Sequence, residues 1–192
     1  MPDGAGATEG TAGAAEAVVA MLRARVRDVP DWPKPGIVFK DITPLLADHA
    51  AFSAAVEALT APHRGAGIDI VAGIEARGFV LGAPIALALG AGFVPVRKKG
   101  KLPGSTREVS YDLEYGSATL EVTADAFVPG ARVLVVDDVL ATGGTAVATV
   151  DLVRRCGAEV VGVSVLMELG FLDGRAALRA VGIADPHALL RV

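Results

Sequence analysis

The sequence predicts an α/β fold, a mostly parallel central sheet flanked by helices, and three observations carry that prediction. Short apolar β-type runs alternate with helical periodicities from about residue 68 onward, the pattern of successive βα units. The run RVLVVDD at 132–138 reads as the strongest strand of the chain, apolar enough to be buried on both faces as parallel strands are. Hydrophobic residues make up 52% of the chain but aromatics only 5%, a surplus of Ala and Val that suits helices packed on a buried sheet. At 192 residues the chain is long enough for one domain with a full core.

The elements follow in order. Residues 1–13 are small and polar with nothing to bury, so they are expected to be a disordered tail, with a single domain over 14–192. A helix is predicted over about 14–27, with Val18, Met21, Leu22 and Val26 on one face. Pro30 to Pro35, enclosing Trp32, reads as a loop, and IVF at 37–39 as a short strand leading to Asp41-Ile42-Thr43-Pro44. A second helix is expected over 48–61, a strand at 68–73, a helix at 78–89 and a strand at 93–96. A basic loop over 97–108 comes next. Residues 111–115 and 118–122 resemble a hairpin about Gly116-Ser117. After the strand at 132–138 come a helix over about 144–156, a strand at 160–167 and a short helix at 174–180.

Several classes are excluded early. The uncharged stretch 78–96 is long enough on paper to span a bilayer. Pro84, Pro95 and the Gly90-Ala91-Gly92 break divide it into a buried helix, a turn and a short buried strand, so no membrane association is expected. The N-terminus lacks the basic-then-apolar pattern of a signal peptide. A net charge of −4 provides no global basic field, so nucleic acid is not an expected partner. One cysteine, Cys156, rules out an internal disulfide framework and fits the reducing cytoplasm. His49, His63 and His187 are scattered and lack metal-ligand spacing.

The chemistry concentrates in VLVVDDVLATGGT at 133–145. Asp137 and Asp138 close a buried strand, and the small-residue loop Ala141-Thr142-Gly143-Gly144-Thr145 opens a helix. In open α/β sheets ligands bind outside the carboxyl ends of strands. A glycine-rich loop at a helix N-terminus offers consecutive N–H groups to an anion without an intervening Cβ. Adjacent carboxylates repel, and they are tolerable where sugar hydroxyls donate to them or a hydrated cation faces them. A phosphate cradle beside a diol-binding acid pair suggests a ribose 5-phosphate. Strand end and turn would account for either half alone; together at this spacing they favour a site. The loop is not a Walker A motif, lacking Lys after the glycines, and G-x-G-x-x-G is absent.

VVDDVLATGGT resembles the phosphoribosyl pyrophosphate motif of the type I phosphoribosyltransferases. PGIVFKDITPLL (35–46), GIEARGFVLGAPIA (73–86), VPVRKKGKLPGST (94–106) and YDLEYG (111–116) are similar to successive signatures of the adenine-specific family, over about residues 28–175. The resemblance implies the type I phosphoribosyltransferase fold with a mobile lid loop. It implies transfer of adenine to phosphoribosyl pyrophosphate, giving AMP and pyrophosphate.

It also implies site roles. Asp137 and Asp138 would hold the ribose hydroxyls and residues 141–145 the 5′-phosphate. Arg77, in Glu75-Ala76-Arg77-Gly78, would meet the pyrophosphate; as an ordinary surface residue it would instead pair with Glu75. Arg97, Lys98 and Lys101 belong to the glycine- and proline-bearing basic segment read as the lid, and would join Arg77 on pyrophosphate. Glu114 would be the catalytic acid or base near the purine N7, and Tyr115 would help to order the closed lid. Val38, Phe39 and Lys40 match the segment that stacks the base, and Leu172 would form the opposite wall. Mg²⁺ is expected to be held mainly by substrate oxygens and water, with no ligand directly from the protein. The family implies a homodimer. Two rivals remain open: another purine base, disfavoured by YDLEYG and PGIVFKDI, and a ligand-sensing regulator, disfavoured by the negative charge and the lack of a DNA-binding module.

Overall fold

The computed structural model describes residues 6–112 and 117–192. Two compact units make up the chain, Met1–Ala55 and Val56–Val192. The smaller unit contains helix α1 (Gly6–Arg23), strands β1 (Arg27–Pro30) and β2 (Val38–Asp41), helix α2 (Thr43–Ala47) and most of helix α3 (His49–Thr60). Helix α1 starts inside the segment expected to be a tail; its sequence is rich in alanine, the best helix former. It stops at Arg23 rather than 27, because Arg27–Pro30 pairs antiparallel with Val38–Asp41. Helix α3 begins where Asp48 caps it. Asp48 Oδ1 accepts the N–H groups of Ala50 at 3.0 Å and Ala51 at 3.2 Å, while Arg25 Nε donates to Oδ2 at 2.9 Å.

The larger unit is a seven-stranded sheet. Its strands are β3 (Ile70–Ile74), β4 (Gly92–Lys98), β5 (Thr106–Asp112), β6 (Ser117–Thr123), β7 (Arg132–Leu140), β8 (Glu159–Glu168) and β9 (His187–Arg191), in the order β5-β6-β4-β3-β7-β8-β9. The five from β4 to β9 run parallel, and the β5–β6 hairpin joins β4 antiparallel. Helices α4 (Arg77–Leu89), α5 (Gly144–Arg155) and α6 (Gly174–Ala180) complete the unit. Val71, Ala72 and Val133 through Val136 are fully buried, as the central strands of a parallel sheet must be. The uncharged run 78–96 is helix α4, a left-handed Gly90 cap and β4, as expected. Among the described residues no helix is long and apolar enough to cross a membrane.

The expected hairpin is present as β5 and β6, with its first strand starting earlier than expected, and one strand, β9, is an addition to the sequence reading. β9 closes the edge beside β8, and β5 begins at Thr106, inside the segment read as a basic loop. Arg97 and Lys98 also lie on a strand, where they pair with Glu121 and Leu120 of β6. The loop between β4 and β5 is therefore shorter than expected, covering 99–105.

Candidate active site

Helix α5 starts at the carboxyl end of β7, and the turn between them forms a cradle. A cavity of about 70 Å³ is lined by Asp137, Val139, Leu140, residues 141–146 and Val165. That is several times the ~10–15 Å³ on this measure that a single water needs, so the cavity is roomier than a one-water void. Gly143 precedes α5 with φ of 87°, a left-handed conformation that permits the turn. The helix has no side-chain N-cap, so no side chain takes up the N–H groups of its first turn, whose residues line the cavity. Thr145 Oγ1 lies 3.1 Å from the Tyr111 hydroxyl, which ties the cradle to β5.

A second glycine, Gly174, brings the surroundings close. A Cβ on Gly174 would collide with the carbonyl oxygen of Ala141, and a Cβ on Gly143 would lie 2.8 Å from the carbonyl oxygen of Gly174. The start of α6 is thus pressed against the back of the cradle. Arg175 holds that start in place, donating to Glu168 through Nε at 3.1 Å and Nη2 at 2.8 Å. The pair is well buried, and Arg175, ahead of the opposing cost of burial, holds the Glu168 carboxyl below its usual range.

The two aspartates divide their work. Asp137 faces the cavity. Burial first, and then the neighbouring Asp138 charge, push its carboxyl well above the ordinary carboxylate value. Asp138 is 5% exposed and its Oδ2 lies 2.7 Å from Arg77 Nε. That contact is a charge pairing without hydrogen-bond alignment: Oδ2 is buried and accepts no aligned hydrogen bond among the described residues. Arg77 begins helix α4 directly after the Glu75–Ala76 peptide, which is cis. Gly78 makes the approach possible, since a Cβ there would sit 2.8 Å from the Val136 carbonyl oxygen and 3.0 Å from Asp137 Oδ1.

A second cluster lies on the β4 side. Glu75 Oε2 accepts Arg97 Nε at 3.2 Å and the Lys98 N–H at 3.0 Å. Burial pushes the Glu75 carboxyl up, but these donors together bring it below its usual value. Arg97 Nη1 donates to the Lys101 carbonyl at 3.1 Å. The Arg97 guanidinium and the backbone of Lys98 and Lys101 are thereby tied to one carboxylate-anchored turn.

The phosphoribosyl transferase domain model matches residues 45–179. The chain belongs to the phosphoribosyltransferase family. It is 68% identical over 162 residues to an adenine phosphoribosyltransferase of Nocardioides, covering 82% of this chain and 88% of that one. Its fold superposes on adenine phosphoribosyltransferase from Rhodothermus marinus with a TM-score of 0.87 at 51% identity, covering 92% and 99% of the two chains. The Saccharomyces cerevisiae enzyme, solved with an imino-altritol bisphosphate and adenine, matches with a TM-score of 0.82 at 37% identity, over 90% and 97%. The α/β fold and the resemblance to adenine phosphoribosyltransferases are both borne out.

Seen as a phosphoribosyltransferase, the chain brings together Asp137, Asp138, residues 141–145 and Arg77 at the end of β7, and Arg97, Lys98 and Lys101 around Glu75. Arg77 pairs with Asp138 rather than with Glu75, because the start of α4 turns it toward β7. Leu172 lies half-buried in a 3₁₀ turn, Gly170–Leu172. Val38, Phe39 and Lys40 lie on β2 in the other unit. There Phe39 packs against Trp32 with ring centroids 4.5 Å apart, and Lys40 Nζ meets Asp28 at 2.7 Å. Glu114 and Tyr115 lie outside the described residues. Sequence reasoning missed Glu75 as an anchor, and it missed Gly174, Tyr111 and Glu121 altogether. Only Glu75 carried a local signal, its place in the loop after β3.

Proposed function

We propose that this chain joins adenine to the ribose 5-phosphate of phosphoribosyl pyrophosphate, releasing pyrophosphate and forming AMP. One observation carries the reading: an acid pair and an anion cradle share the end of β7, with Arg77 beside them. The cradle 141–145 takes the 5′-phosphate through backbone N–H groups and the hydroxyls of Thr142 and Thr145. Asp137 accepts from the ribose hydroxyls. Asp138 shares that task and holds Arg77, which faces the pyrophosphate together with Arg97, Lys98 and Lys101. Catalysis then rests on orientation and on charge stabilisation as positive charge develops on the ribose, without a protein nucleophile. Glu114 is assigned proton transfer at the purine ring, and Tyr115 the ordering of the lid, through their place in YDLEYG.

Phe39, with Val38, the Lys40 backbone and Leu172, is assigned to the base. Adenine as that base is supported by the relatives' names and by the adenine bound in the yeast relative. Mg²⁺ fits here as an ion carried mainly by substrate oxygens and water, since the acid pair Asp137–Asp138 is one that a hydrated cation can face. When bound, the ion would neutralise charge on the departing pyrophosphate. A cytoplasmic homodimer completes the reading. The outer side of α4 supports the dimer, with Val80 and Leu87, two turns apart, 42% and 84% exposed.

The test is AMP formation by purified protein with phosphoribosyl pyrophosphate and Mg²⁺, comparing adenine, hypoxanthine and guanine. Rapid turnover of adenine alone is expected. Turnover of only another base would keep the phosphate site and overturn the base assignment.

A further inference from the structure

Glu121 is a carboxylate on β6 with 2% of its surface exposed. Among the described residues it forms no salt bridge, and Lys99 lowers its carboxyl only through space, as the weakest of the influences on it. Its charge is met by the backbone: Oε1 accepts the N–H of Lys101 at 2.7 Å and of Leu102 at 2.8 Å. Burial alone would raise the carboxyl, yet the N–H groups of Leu102, Lys101 and Gly100 hold it below its usual value, so it is ionised at neutral pH. A buried, ionised group is costly unless its hydrogen bonds are complete. The 99–102 backbone therefore cannot swing away without stranding that charge.

The same peptide is gripped from the other side. Arg97 Nη1 donates to the Lys101 carbonyl, and Arg97 Nε is held by Glu75. Arg97 and Glu121 face each other in the β4–β6 register. A continuous series thus runs from the turn before Arg77, through Glu75 and Arg97, across the Lys101 peptide to Glu121. We infer that Glu121 is a positioning residue for the pyrophosphate end of the substrate, a latch that fixes where Arg97 and Lys101 present their charges. The inference rests on the pyrophosphate assignment proposed above. Glu121 itself touches no substrate; it acts through the loop it anchors. Its influence falls on the pyrophosphate and spares the base, because the groups it fixes are the cations of β4 and its following loop.

The test uses Glu121→Ala and Glu121→Gln in the full chain. Steady-state assays vary phosphoribosyl pyrophosphate and adenine separately, and pyrophosphate in the reverse reaction. Glu121→Ala should raise KM for phosphoribosyl pyrophosphate and for pyrophosphate about tenfold, equivalent to roughly 1.4 kcal/mol, with KM for adenine within about twofold. Glu121→Gln keeps a neutral acceptor oxygen, so its KM should rise only about threefold, a partial rescue. Hydrogen exchange should accelerate at the Lys101 and Leu102 amides in Glu121→Ala. Unchanged KM values, or equal rises for adenine and phosphoribosyl pyrophosphate, would overturn the latch and leave Glu121 a structural residue. Should Glu121→Ala fail to fold, Glu121→Gln decides by the same split. If the wild type makes no AMP at all, the proposed activity falls. Amide exchange and calorimetric titration with pyrophosphate then still judge the latch.

Discussion

The two regions of the larger unit proposed to meet anions are built on opposite plans. At the end of β7 the cradle is made of backbone, shaped by glycines and backed by α6. On the β4 side the anion would meet flexible cations, and rigidity comes from two carboxylates, Glu75 and Glu121, that hold the peptide and guanidinium rather than the substrate. A 5′-phosphate remains attached to product, whereas pyrophosphate must leave. A fixed cradle suits the first, and a set of cations that can be released by loosening one buried anchor suits the second.

The contrast can be broken at several points. The largest effect is expected from Asp137→Asn with Asp138→Asn. Losing two charge-assisted contacts of about 1.5–3 kcal/mol each should lower kcat/KM for phosphoribosyl pyrophosphate by about 10²–10⁴-fold. Unchanged steady-state kinetics would remove the ribose assignment. Next, Gly174→Ala forces a Cβ into the Ala141 carbonyl and leaves it 3.0 Å from Leu140. It should destabilise the fold by about 1–3 kcal/mol, a fall of roughly 2–4 °C in Tm per kcal/mol at this chain length. A thermal melt reads it, and KM for phosphoribosyl pyrophosphate should rise with it. Glu75→Gln should act on the other region alone, raising KM for phosphoribosyl pyrophosphate about three- to tenfold with a smaller loss in Tm than Gly174→Ala. Equal stability losses in the two variants would erase the distinction between a packed cradle and an anchored one.

Acidification sharpens the same comparison with the smallest effect. Glu75 has a folded value below its unfolded one, so its contribution to stability is present above the unfolded value and is lost as pH falls through the folded value. Asp137 has a raised folded value, so the cost of its ionisation is relieved as pH falls through that value. On acidification Asp137 therefore takes its proton before Glu75, which would weaken its proposed grip on a sugar hydroxyl while Glu75 still holds Arg97. The pH profile of KM for phosphoribosyl pyrophosphate should lose its acid limb in Asp137→Asn. A limb that persists would reassign the titration.

Legibility in the sequence follows from the same difference in construction. The cradle is contiguous: strand, acid pair and loop fall within VLVVDDVLATGGT, and α5 begins at Gly144 as periodicity predicts. Arg77 is legible because its loop also follows a buried strand. The anchors are not. Glu121 lies 20 residues beyond Lys101, and an alternating strand gives no sign that its carboxylate is buried against a loop. Gly174 lies 31 residues beyond Gly143, and only the packed sheet shows that the two meet. Strand β9 escaped notice because HALLR is short and lacks alternation, and it is an edge strand set by pairing with β8. Arg97 and Lys98 looked like loop residues because charge masked the strand that β6 imposes on them.

The contact between Gly174 and the Ala141 carbonyl has a bearing on redesign. Leu172, assigned to the base, lies two residues ahead of Gly174 in the same short connection from β8 to α6. Lengthening or stiffening that connection to admit a different base would shift Gly174, and with it the wall behind the phosphate. On the proposed assignments, base preference and phosphate grip would be geared together through one backbone contact. New specificities are therefore easier to reach by exchanging side chains within 169–173 than by insertion or deletion there.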